Sequence, residues 1–242
     1  MNLCDFYNIH QNKTAFIVGA GPSLHFQDLN PIKDHVVFGV NSAIMKVPYA
    51  DYFVSDDKAI KEWNYFYELP NLKCVKFLYK DKLHDIYKSP DAVWYEHHPD
   101  HAPDFSEDSD NGYEMSKDPK DPIIGARTSV ASAVHLAYIM GCDPIVFLGC
   151  DCCHQRGKRY FWQFPNEPKV FRPFNPKPPW TRANRGGYKN RAVDQHCMDF
   201  LDYWRKFYNA NKEKVQFVYC SEGGILDAFP NIMSLKEFLS SL

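Results

Sequence analysis

No apolar run in these 242 residues approaches the length needed to cross a bilayer, so no membrane span is expected. The opening MNLCDFYNIH has neither an apolar stretch nor a basic start, and nothing in it reads as a secretory leader. A cytoplasmic setting is the expectation. The two C-x-x-C pairs of a structural zinc site are missing, since Cys150 and Cys153 have no second pair to match them. The eight cysteines are scattered, several of them in apolar segments, which suits reduced thiols better than a disulfide framework. Cys150, Cys152, Cys153 and His154 do crowd together, but no second pair stands at a zinc-like distance, and strand-end packing is the better reading. A large net charge is absent too. The balance of −2 argues against a chain coated in cations for nucleic acid, although it hides strong local asymmetry. There is no internal repeat.

What is present begins with TAFIVGAGPSL at 14–24. The apolar run 15–18 reads as a buried strand, and Gly19, Ala20, Gly21, Pro22 and Ser23 follow as a tight turn into a helix. Glycines let backbone approach a ligand closely, and helix N-terminal amides suit a phosphate. GAGPS lacks the third glycine of a dinucleotide fingerprint and the lysine of a P-loop, so the turn needs support from elsewhere.

That support is a recurring pattern. Apolar segments at 36–40, 52–55, 74–79, 92–97, 145–148 and 215–219 read as further strands, several with a small polar or acidic residue just beyond. Asn41, Asp56 with Asp57, and Gly149 with Asp151 therefore line one rim, where open parallel sheets bind ligands. Asn41 and Asp56 also suit ordinary helix N-caps. Arg127, Thr128 and Ser129 open a helix that runs to residue 140 with an apolar face. Helices are also expected at 58–69, 192–209, 223–229 and 235–239. Residues 96–121 form an acidic excursion, in which His97, His98 and His101 read as a surface loop. Residues 155–191 carry ten Lys/Arg against one acid, Glu167, with interleaved aromatics and six prolines. A segment so long, basic and aromatic reads as a lid that meets an anion and excludes water. The expectation is a single nucleotide-binding α/β domain over 1–242, with a Rossmann-like, mostly parallel sheet, helices on both faces, and a basic lid at 152–191.

Taken in order, GxGPSL, Asn41, Asp56, R-T-S at 127–129 and L-G-x-D at 148–151 resemble one pattern. It is that of the bacterial family-42 sialyltransferases and of the wider group that includes flagellin nonulosonate transferases and archaeal 6-hydroxymethylpterin diphosphokinases. The resemblance spans roughly 14–229 without the acidic excursion, and implies a GT-A-variant fold with a nucleotide donor at the rim. It implies that 19–23 hold the donor's phosphate and that Asn41, Thr128, Ser129, Gly149 and Asp151 hold its ribose or base. Tyr160 matches a lid tyrosine that contacts phosphate. Two departures stand out. Ala20 and Asp56 replace asparagines of the sialyltransferases, and Tyr188-Lys189 stands where they carry a basic histidine. Asp56 and Asp57 shift the site towards Mg²⁺-assisted phosphate chemistry, as in the diphosphokinases.

Glycosyl transfer needs a stabilised leaving phosphate, a base for the acceptor hydroxyl and exclusion of water. His196 and His154, near the two ends of the lid, are the candidate bases, and Asp151 joins them as a catalytic candidate. Three readings follow. The first is transfer of a sugar from a nucleotide-sugar donor, CMP-sugar-like, to a glycan or a modified DNA base. The second is Mg²⁺-dependent pyrophosphoryl transfer from ATP, and the third is nucleotide binding without catalysis.

Overall fold

The computed structural model describes residues 1–97, 113–125, 128–174, 187–188, 191–193, 195–226 and 228–242, with only the backbone of 187–188, 191–192, 195–196 and 199. Its frame is a seven-stranded sheet of β1 (Ala15–Val18), β2 (Val36–Val40), β3 (Tyr52–Ser55), β4 (Val75–Tyr79), β5 (Ala92–Tyr95), β6 (Ile145–Leu148) and β9 (Phe217–Tyr219). The spatial order is β5-β4-β3-β2-β1-β6-β9, and every pairing is parallel. Ala15 sits beside Val36 on one side and Ile145 on the other, which puts β1 at the centre. A separate antiparallel pair joins β7 (Gly187–Tyr188) to β8 (Arg191–Ala192).

Parallel strands covered on both faces are apolar at every position, and β1, β2, β3 and β6 are buried throughout. Alternate side chains enter opposite layers. Ala15 and Ile17 join a core with α3 (Ser129–Ile139) and α4 (Gln195–Asn211), whereas Phe16 and Val18 join one containing Leu24, Ile44, Leu69 and α5 (Leu235–Leu239). The second set packs together as its own core on the other face. Two shorter helices, α1 (Asn64–Glu68) and α2 (Lys80–Leu83), flank β4.

All seven expected strands are present, β4, β5 and β9 each starting or stopping one or two residues inside the expected limits. The helices differ more. The turn after β1 enters a five-residue 3-10 helix, Pro22–Phe26. Residues 58–71 alternate 3-10 and α turns instead of forming one helix, because Pro70 and the break at Trp63 interrupt the ladder. The described residues of 223–229 form no helix. Thr128 Oγ1 accepts from the Val130 amide and so caps α3. His135 on α3 fastens the stretch 116–124: Nδ1 accepts from Ile124 N at 2.9 Å, and Nε2 lies 2.7 Å from Ser116 O. Among the described residues no helix is long and apolar enough to cross a membrane.

Candidate functional site

The chain order places β1 between β2 on one side and β6 on the other, with successive connections leading in opposite directions. In open α/β sheets the crevice beyond the carboxyl ends at such a reversal is where ligands bind. Here the two loops at that point are locked together. Gly19 N donates to Leu148 O at 2.8 Å and Gly21 N to Gly149 O at 2.7 Å. A Cβ on Gly21 falls 1.7 Å from Asp151 Oδ2, and one on Gly149 falls 2.5 Å from Gly19 O. The glycines are therefore required by the approach of one loop to the other. This differs from the expected phosphate cradle, whose amides face outward.

Asp151 lies under the turn. Its Oδ2 accepts from Ser23 Oγ at 3.1 Å and Ser23 N at 3.4 Å, and its Oδ1 accepts from Gln155 Nε2 at 2.7 Å. Gln155 also donates to Glu222 O at 2.9 Å, tying the loop to the end of β9. Burial pushes the Asp151 carboxyl up to about 7, against the opposing pull of the Ser23 and Gln155 hydrogen bonds. Pro22 and Ser23 are buried as well. The turn's anion-facing potential thus narrows to Ala20, whose amide bonds to none of the described residues. Gln155 has no motif to announce it and is found only in three dimensions.

The first part of the basic segment is seated on this turn. Phe161 is fully buried and donates its amide to Ala20 O at 3.2 Å. Tyr160 stacks on Trp162 at 5.1 Å and 9°, and Trp162 meets Trp63. Glu167, the segment's one acid, takes Lys46 on both oxygens at 2.8 and 2.6 Å and His25 Nδ1 at 2.8 Å. Arg172 lies 4.7 Å over Trp63 and 3.1 Å from Glu62. Asn64 clasps the Phe171 backbone in both directions, its amide donating to Phe171 O at 2.9 Å and its side-chain Oδ1 accepting from Phe171 N at 3.0 Å. His154 is half-buried at the start of this segment. Arg127 and Lys189, and the side chains of Tyr188 and His196, lie outside the described residues.

A second constellation stands over β3 and β5. Asp56 is buried, and its carboxylate accepts from the Tyr95 hydroxyl on Oδ1 and from Ser132 Oγ on Oδ2 at 2.8 Å. Its amide donates to Ser129 Oγ at 3.0 Å. Burial raises this carboxyl to about 6 against the hydrogen bonds of Tyr95 and Ser132. Asp57 caps the next 3-10 turn, Oδ1 accepting from Ala59 N at 2.8 Å. Asp56 is buried with both oxygens accepting, Asp57 is exposed and accepts through Oδ1 alone, and the described residues hold no group of three or more candidate ligands. Thr128 and Ser129 are likewise spent, one as a cap and one on Asp56. Asn41, at φ 51°, accepts from Ser55 Oγ at 2.7 Å through Oδ1.

His97, expected on a surface loop, instead closes the second constellation. Its Nε2 is 3.3 Å from Ser132 Oγ and 3.5 Å from Asp56 Oδ2, and its ring stacks on Tyr79 at 4.0 Å and 13°. A parallel bridge to Ile123 holds its backbone. Burial, reinforced by the Lys82 charge, lowers this imidazole to about 4. On the far side of the switch point a crevice of about 340 Å³ lies beyond β9, lined by Ser221, Glu222, Gly224, Ile225, Met233 and others.

Comparison with known proteins adds three findings. The family described as 6-hydroxymethylpterin diphosphokinase MptE-like matches residues 1–157. Among solved structures the chain is similar to the MAf glycosyltransferase from Magnetospirillum magneticum AMB-1, with a TM-score of 0.56 and 13% identity, over 99% of this chain and 38% of that one. The chain thus spans well under half the length of that protein, and the likeness is one of fold. No functionally curated protein matches the sequence.

Proposed function

The chain belongs to the 6-hydroxymethylpterin diphosphokinase MptE-like family, and from that premise we propose that it is a transferase acting on a nucleotide-activated donor and a hydroxyl acceptor. A sugar of the CMP-sugar type is the group transferred. The observation that carries this reading is the contact of Phe161 with Ala20, which seats an aromatic, cation-bearing segment on the turn at the switch point. The donor phosphate meets the Ala20 amide there, with Asn41 beside it at the end of β2. Its nucleoside lies towards β6 and β9, past Gly149 and Asp151, where the crevice of about 340 Å³ is within the usual size for a small-ligand pocket. Tyr160 and the cations of the segment offset the charge that builds on the leaving phosphate. The acceptor is a glycan or a hydroxylated base in DNA.

The family's description names a diphosphokinase, which favours pyrophosphoryl transfer from ATP as the second reading. Against it stands the burial of Asp56, each of whose oxygens already accepts a hydroxyl, from Tyr95 and from Ser132. The test is a thermal-shift and turnover panel of CMP, UDP and ATP compounds with and without Mg²⁺. Release of CMP or UDP from the sugar nucleotide in the presence of a chelator supports the first reading. ATP turnover abolished by the chelator supports the second, and binding without turnover leaves a nucleotide-binding module.

A further inference from the structure

The nucleotide donor proposed above has an anionic end and a flat, uncharged end, and the crevice beyond β9 suits the two unequally. We propose that this crevice takes the donor's base with its exocyclic amino edge turned to Glu222, and that Glu222 selects cytidine over uridine donors. The assignment rests on the nucleotide-donor reading for its ligand.

Three observations carry it. First, the crevice holds charge of one sign. Among the described residues that line its volume of about 340 Å³, Glu222 alone is charged, and it is exposed. A phosphate placed there would face that carboxylate with no lining cation to offset it, and like charges repel. The anionic end is therefore turned towards the turn after β1, where Arg159 and Tyr160 directly precede the Phe161 amide that donates to Ala20 O. Ile225, Leu226 and Met233 give the crevice apolar walls, which suit the faces of a base.

Second, the other polar side chains of the crevice are engaged within the fold. Ser221 Oγ accepts from Cys150 N at 2.9 Å, and the Tyr219 hydroxyl donates to Cys150 O at 3.2 Å. Ser234 forms a capping box with Glu237. Selection by side-chain hydrogen bonding thus falls to Glu222. A carboxylate can only accept. Cytosine offers it the N4 amino group, whereas uracil places there the O4 acceptor it shares with thymine. One base is held and the other repelled.

Third, the loop that carries Glu222 is fixed and is tied to the turn. Gly224 N donates to Ser221 O at 3.0 Å and Ile225 N to Asp151 O at 2.9 Å. A Cβ on Gly224 falls 2.0 Å from the Tyr219 hydroxyl, so the loop rests on β9 only because glycine stands there. Gln155 joins Glu222 O to Asp151, which in turn holds Ser23, and Gln27 Nε2 donates to Cys220 O at 2.5 Å. The ends of β1 and β9 are two strand spacings apart, about 10 Å, a gap that one nucleoside spans. Glu222 meets the base and not the reacting atoms, so it is a specificity residue.

Calorimetric titration of the full chain with CMP and with UMP tests this. CMP is expected to bind about tenfold or more tightly than UMP. Glu222→Gln, whose amide can accept from N4 or donate to O4, should bring the two within about threefold, with the unliganded Tm unchanged. In ¹³C-methyl spectra the Met233 signal, assigned through Met233→Leu, should move when CMP is added. Equal affinities for CMP and UMP in the wild type, a preference that survives Glu222→Gln, or a Met233 signal that stays still while CMP binds would each overturn the assignment and leave the donor reading standing. Binding of neither nucleotide would overturn the donor reading and this assignment with it.

Discussion

Asp151 carries a carboxylate that is 2% exposed and whose hydrogen-bond partners, Ser23 and Gln155, are neutral. With its folded value near 7 against an ordinary 3.8, the native chain binds more protons than the unfolded one across that interval. The contribution to stability is therefore full below pH 4 and is lost as pH rises through 7. Asp56 acts in the same direction with a value near 6. Thermal unfolding between pH 5 and 8 should show a falling Tm, and Asp151→Asn should flatten that slope; an unchanged slope would contradict the buried, neutral-lined setting. Gly21→Ala is expected to cost about 1–3 kcal/mol or more in denaturant unfolding, because its Cβ meets backbone and carboxylate instead of a movable side-chain end. The types and places of the rim residues were legible in the sequence, since Gly19, Asn41, Asp56 and Asp151 each follow an apolar run. Their partners were not. Gln155, Ser132 and His97 reach the site through pairings 4, 76 and 35 residues apart in sequence, and no local period marks such contacts.

At the scale of elements, strands were easier to read than helices for a physical reason. A strand buried on both faces announces itself by four apolar residues in a row, as Ile145–Leu148 does. Helices here are short, and several are single 3-10 turns set by prolines and by packing, so periodicity has little length over which to show. The basic segment was legible as a feature of function but not as a docked one. Glu167, 5% exposed at its side chain, anchors it through Lys46 and His25. Removing a hydrogen-bonded charge of this kind costs about 1.5–3 kcal/mol. Glu167→Ala should therefore raise the rate of limited proteolysis within 155–174 by about tenfold or more, with far less effect on cleavage in α3. Equal acceleration in both places would show that the glutamate supports the whole fold and not this segment.

For the whole molecule, a nucleotide that binds the native state alone must raise its stability by mass action. At a hundredfold excess over Kd the gain is about 2.7 kcal/mol, worth several degrees in Tm for a chain of this size. The donor's nucleotide should show this shift, and Tyr160→Phe should leave the unliganded Tm near wild type while reducing turnover. Strand order also bears on how the protein is made. In the finished sheet β1 is flanked on both sides, yet β2 to β5 all leave the ribosome before β6. Until Ile145–Leu148 has been translated, one edge of Ala15–Val18 has no neighbour, and an open row of amides and carbonyls invites pairing with another chain. Premature termination before α3 should therefore yield a sticky, chaperone-dependent product, and the hazard should vanish once the sixth strand closes that edge.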